Sequence, residues 1–269
     1  MPHIRPHSFA LLLVIAAPAA LLAQGGRGGG EPPKNLQVLP KDMPRNQVTA
    51  LMRTFAMGLG VRCEHCHAED PAAAAAAANA PAGGRGGRGG GPQLDYSLDD
   101  KETKKVAREM LKMVMDINGK YLPATGRTIT DLTRVTCETC HHGLAKPRTL
   151  RAALTEAVQA SGADSAVALY RSLRLRYFGS AAYDFSEPSL NETGGQLAAT
   201  PAQRAAAIAI LKLNLEYFPQ SVPTLFTMAN VSIQAADTAG AVDALNRAIV
   251  IEPNNNQIRN LLQRIKPGL

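Results

Sequence analysis

The chain has 269 residues, a formal charge of +7, no tryptophan and only 4% aromatic residues. That length suits about two domains, and protein aromatics can supply little of their core. The basic balance suits an acidic redox partner or an anionic membrane surface and by itself selects neither. All four cysteines fall in two pentapeptides, which leaves none for a disulfide framework.

Residues 1–23 read as a secretory signal. Arg5 and two histidines precede an apolar run from Phe9 to Ala23, shorter than the roughly 20 residues of a comfortable membrane span. Leu21, two places before Ala23, makes a poor cleavage site, so an uncleaved anchor is the alternative. No later segment is apolar enough to span a bilayer, and the expected location is periplasmic. Residues 24–34 are a Gly-rich linker.

The segment Asn46 to Leu59 predicts a helix that Gly60 ends just before Cys63. Residues 71–92 combine an Ala run with Arg-Gly-Gly repeats. Such repeats bind RNA in some cytosolic proteins. In an exported chain they predict a disordered insert and no nucleic-acid partner. A longer helix is predicted from Asp99 to Tyr121, opened by Asp99-Asp100 and broken by Pro123 and Gly126. Residues 35–150 therefore repeat one plan: helix, turn, Cys-x-x-Cys-His.

The two pentapeptides are Cys63-Glu64-His65-Cys66-His67 and Cys137-Glu138-Thr139-Cys140-His141. This spacing attaches haem c: two thiols form thioethers with the vinyl groups, and the next imidazole is the proximal iron ligand. The competing readings are a redox disulfide or a zinc site. A zinc ribbon separates its pairs by about 15–20 residues, whereas 70 lie between Cys66 and Cys137. Histidine is rare, with six copies, yet follows both pairs. Two covalent haems are expected, held by Cys63, Cys66, His67, Cys137, Cys140 and His141.

Each iron needs a distal ligand or stays open. His65 lies inside its own attachment loop, and His142 adjoins a proximal ligand. Methionines are better placed: Met52 and Met57 on the first helix, Met110, Met113 and Met115 on the second. Met110 and Met113 share a face by i,i+3 spacing, while Met115 faces away. The residues alone favour Met52 or Met57 and Met110 or Met113, without ranking them.

The run from Leu51 to Cys63, with a methionine early in the helix and Leu59-Gly60 before the motif, resembles the cytochrome subunit of bacterial photosynthetic reaction centres. Val106 to Met113 with Ile117-Asn118 resembles its second haem helix, Val135 to Gly143 its motif, and Asn35 to Pro40 its strand-like lead-in. The likeness covers roughly residues 35–148 and implies the fold without fixing the partner. It implies Met52 and Met110 as the axial methionines, with Met113 packing on the haem. The departures are two motifs where photosynthetic members typically hold four haems, an extended loop before Cys137, and His142 where arginine is usual.

Residues 151–269 carry a different pattern. A helical run from Ala202 closes at Glu216-Tyr217-Phe218-Pro219, and 34 residues later Ile251-Glu252-Pro253 closes another. That is the tetratricopeptide period. It places Ala229, Ala241 and Ala248 at small-residue positions. The earlier copy offers Ala207 and Leu211, while Asn214 breaks the third position. Residues 163–178 suggest a degenerate further helix pair. About two repeats is few for an independent solenoid, so this region should pack on the haem units or on another chain. A generic helical domain is the alternative.

The expected fold is all-α, a multihaem c-type cytochrome domain followed by a tetratricopeptide-like repeat domain. The expected function is single-electron transfer by an exported dihaem cytochrome that docks redox partners, not catalysis. The alternatives are a dihaem peroxidase-like enzyme with one open iron, which the scarcity of spare histidines disfavours, and a haem-bearing sensor or scaffold.

Overall fold

A computed structural model describes residues 33–79, 92–126 and 134–266. The expected signal peptide, most of the Gly-rich linker and the Arg-Gly-Gly repeats lie outside the described residues. Within them the chain is all-α apart from one two-residue strand pair.

Helix α1 spans Arg45–Leu59 and stops at Gly60, whose φ of 63° is left-handed. Gly60 donates its N–H to the Met57 carbonyl and Val61 donates to Ala56, which satisfies the last carbonyls of the helix. A single 3-10 turn, Cys63–His65, carries the first motif. Strand β1, Ala68–Glu69, then pairs antiparallel with β2, Leu94–Asp95, and ties off the insert between them.

Part of that insert is ordered. Helix α2 spans Pro71–Ala78, where the sequence predicts disorder. Alanine has the highest helix propensity, Pro71 is pre-shaped for a first helical turn, and Asp70 accepts from the Ala72 N–H at 2.9 Å. Low complexity was the wrong guide for these eight residues.

Helix α3 spans Glu102–Asp116. It begins three residues after the predicted start because Asp99 is engaged elsewhere. Its carboxylate accepts from Asn35 at 2.9 Å, Gln37 at 3.0 Å, Lys104 at 2.9 Å and Arg108 at 2.8 Å. These bonds fold the lead-in onto α3. Residues 35–40 form turns and bends, not a strand, and Asn35 itself sits at a φ of 68°. Pro123 does not break the helix as expected. A π-helical turn, Ile117–Tyr121, leads into α4, Leu122–Ala124. The wider turn lets the chain continue through a residue that lacks an N–H donor.

Helix α5, Cys137–His141, is the second motif. Long helix α6, Leu150–Tyr177, is interrupted at Gly162. After it come α7 (Glu187–Ala198), α8 (Arg204–Tyr217), α9 (Val222–Gln234), α10 (Thr238–Ile251) and α11 (Asn256–Ile265). Thr149, Ser221, Asp237 and Asn255 cap four of these helices through side-chain oxygens. Helices α8 and α10 begin 34 residues apart, as do α9 and α11.

Packing is sequential, α7 on α8, α8 on α9, α9 on α10, α10 on α11, with α6 also against α8. Ala207, Ala229, Ala241 and Ala248 are fully buried, which lets the helices approach closely. Asn214 is equally buried. Its Nδ2 donates to the Glu187 carbonyl at 2.9 Å and to Thr224 Oγ1 at 2.8 Å. The irregular position in the repeat thus carries a polar tie among α7, α8 and α9.

Candidate functional site

The first motif lies against the start of α3. The Thr103 hydroxyl donates to the His65 carbonyl, and Lys101 Nζ donates to the Glu64 carbonyl at 3.0 Å. Burial pushes the Cys66 thiol above its ordinary range, against the pull of Thr103 and Lys101. His67 is half-buried with its ring edge-on to Tyr96, 4.9 Å between centroids. Burial, then Lys104 and Arg108, hold its pKa below the usual histidine value. It is therefore neutral at pH 7, the form that ligates a metal.

Those cations have fixed places. Lys104 is buried, and its ammonium donates to the Tyr96 and Leu98 carbonyls and to Asp99. An ammonium has three donors, and all three are used.

The second motif is built by capping. Thr136 accepts from the Thr139 N–H, and Thr139 Oγ1 accepts from the Thr136 N–H, a reciprocal capping box. His142 and Gly143 then take left-handed backbone at φ 48° and 80°. The chain turns back so that His141 Nδ1 meets the Leu144 carbonyl at 2.7 Å. With Nδ1 as the donor to this carbonyl, Nε2 is the ring nitrogen turned free for iron.

The two units interlock. The end of α1 packs on α5, the second motif, not only on the loop into the first. Gly143 N–H donates to the Gly58 carbonyl at 2.9 Å. A Cβ on Gly58 would sit 2.9 Å from the Glu138 nitrogen, and one on Gly60 would sit 2.0 Å from the Gly143 oxygen. In the π-helical turn just past α3, Asn118 donates to the Val135 carbonyl at 2.7 Å and accepts from its N–H at 2.9 Å. Helix α3 thereby holds one motif near each end.

The structure places the expected methionines as follows. Met52 is half-buried on α1, while Met57 on the same helix is 74% exposed. Val106, Met110 and Met113 are exposed along one face of α3, while Met115, also exposed, faces away. An apolar stripe on a helix that also holds both motifs fits a large flat apolar group. The donor set fits haem c as well: all four cysteines are free. Among the described residues no three His, Cys, Asp or Glu side chains converge on a common metal position, so the four cysteines do not form the zinc set.

Thr103 and Leu144 are positioning residues that sequence reading missed, and Asn118 entered it through the family resemblance alone, without its tie to Val135. Their effect depends on contacts across 17 to 38 residues for Asn118 and Thr103. Leu144 acts through its backbone, which no side-chain pattern reveals.

Residues 86–201 match the family model described as photosynthetic reaction centre cytochrome C subunit. The match covers less than half of the chain. It takes in α3, the second motif, α6 and α7, and leaves Cys63 to His67 outside. No curated protein and no solved structure matches the chain. The match supports a c-type cytochrome that carries electrons, with covalently bound haem c and redox partner proteins. No helix among the described residues is long and apolar enough to cross a membrane.

Proposed function

We propose that the chain is an exported dihaem c-type cytochrome that passes single electrons between partner proteins. The observation that carries this reading is the pair of Cys-x-x-Cys-His segments. The first begins on a 3-10 turn, Cys63–His65, with His67 just past it, the second is a helical turn ending on His141, and all four thiols are free. Bound haem c supplies a one-electron iron couple. The chain's own part is to anchor it through Cys63 and Cys66, and through Cys137 and Cys140. His67 and His141 serve as proximal ligands, His67 kept neutral by burial and nearby cations and His141 oriented by Leu144.

Met52 and Met110 are assigned as the distal ligands. Histidine–methionine ligation raises the potential, and a filled sixth position disfavours oxygen and peroxide. The exposed stripe of α3 packs on the haem faces, Met113 included. The C-terminal helices are read as tetratricopeptide-like, on the 34-residue spacing of their starts and the buried alanines, and as the docking surface for a protein partner. The N-terminal apolar run directs export to the periplasm.

Haem quantitation on the purified protein tests the central claim, with two haems per chain expected. Replacing Cys63 and Cys66 by serine should leave one. Fewer than two in the wild type defeats the dihaem reading. In the oxidised protein, the long-wavelength sulfur-to-iron band should fall by about half in Met52→Ala and again in Met110→Ala. Retention of the full band in both removes these ligands. Peroxide turnover by the wild type would favour the peroxidase-like enzyme instead.

A further inference from the structure

Leu144 stands where the two regions meet. Its carbonyl faces His141 Nδ1 at 2.7 Å, and its N–H donates back to the His141 carbonyl at 2.8 Å. Its side chain is 7% exposed and belongs to the continuous apolar core of α6 to α11. The group that orients the second histidine is therefore fixed in place by the helical domain. The same domain walls the space beside that histidine. A cleft of about 550 Å³ has Cys140 and His141 on one side and Tyr183, Pro188 and Glu192 on the other.

The first motif has no counterpart. His67 Nδ1 is buried and has no hydrogen-bond partner. Its ring packs against Tyr96, 4.9 Å between centroids, and no carbonyl or carboxylate takes a hydrogen bond from Nδ1.

We propose that Leu144 is a positioning residue through which the helical domain tunes the second haem site, setting its potential below that of the first. The inference rests on the dihaem reading above. A carbonyl accepting from Nδ1–H makes the ring a stronger donor at Nε2. A stronger axial donor favours oxidised iron, which lowers the potential. Electrons would then pass from the site beside the helical domain toward the site beside Tyr96. Truncating the Leu144 side chain frees its backbone from the core and weakens the hydrogen bond without touching any ligand.

The test is a potentiometric titration of the full chain, with haem content measured on each sample. The wild type should show two potentials. Leu144→Ala should raise the lower one and leave the higher one in place. Leu144→Val, a smaller loss of volume, should shift it the same way by less, and serves where Leu144→Ala does not fold. Leu245→Ala empties the same core on α10, where Leu245 is fully buried, and should move neither potential. The proposal is overturned if Leu144 variants that keep two haems show unchanged potentials, or if Leu245→Ala raises the lower one equally. A wild-type haem count below two defeats the dihaem reading itself, and this inference with it.

Discussion

The described residues before Leu144 and those from Leu144 to Lys266 are both mainly helical, and they differ sharply in how much apolar surface they bury. In the second region Leu154, Ile210, Leu211, Leu225 and Leu245 are wholly buried in one core. In the first, Val48 is the one buried apolar side chain among the described residues, and α3 leaves Val106, Met110, Met113 and Met115 exposed. Most helical stability comes from packing an amphipathic face rather than from propensity. The first region is instead fixed by polar and backbone ties: Asp99 with its four donors, Asn118 on Val135, Gly143 on Gly58. Such ties shape a scaffold, while a haem packed on the apolar stripe would supply the core.

The largest expected effect follows from that difference. With all four cysteines replaced by serine, residues 144–266 should keep their slow-exchanging amides, and α1 and α3 should lose theirs almost completely. Hydrogen exchange read by mass spectrometry resolves the two regions. Equal protection of α1 and α3 in the haem-free chain would break the comparison.

The next effect probes the interlock. Gly60→Ala places a Cβ on left-handed backbone at φ 63°, 2.0 Å from the Gly143 oxygen. Backbone strain alone costs about 1–3 kcal/mol, and a backbone oxygen cannot swing aside as a side chain can. The unfolding midpoint of the first region should drop. Haem occupancy should fall at the second motif as well as the first, because α1 packs on α5. Loss confined to the first motif would show that the two units are independent.

This interlock marks the limit of what could be read in the sequence. The motifs, the end of α1 at Gly60 and the 34-residue spacing are local signals, carried by residue types at fixed offsets, and the helices follow them. The partner of the Gly58 and Gly60 turn lies some 80 residues away, and no periodicity points to it. Asp99 shows the same limit in reverse. An aspartate before a helical run reads as a cap, but here Asn35 and Gln37 from the lead-in share the carboxylate with Lys104 and Arg108 of α3 itself.

A smaller effect tests Asp99. Hydrogen bonds from Arg108, then Lys104, then Asn35 hold its carboxyl well below the ordinary value of 3.8. A depressed native value means that its stabilisation is fully present above the unfolded value and is lost as pH falls through the native one. Asp99→Asn should therefore lower the unfolding midpoint at neutral pH by less than Gly60→Ala does. The gap from wild type should narrow only below about pH 4. A gap that stays constant down to pH 2 would mean that the loss comes from geometry rather than charge.

The smallest effect belongs to the well-packed region. Asn214→Ala puts alanine where the other repeat has Ala248. The substitution removes two donated bonds, each worth about 0.5–1.5 kcal/mol net. It also removes Asn214 Oδ1, buried without a partner, a cost of about 1–3 kcal/mol. These terms oppose each other, and Thr224 Oγ1 keeps its 2.7 Å bond from Ser221. The net change in a urea melt should stay within about 1 kcal/mol. A loss of about 3 kcal/mol or more, in the range of a large cavity, would mean that the Asn214 tie fixes how α7 seats on α8 and α9. The second region would then depend on polar ties as the first does, despite its filled core.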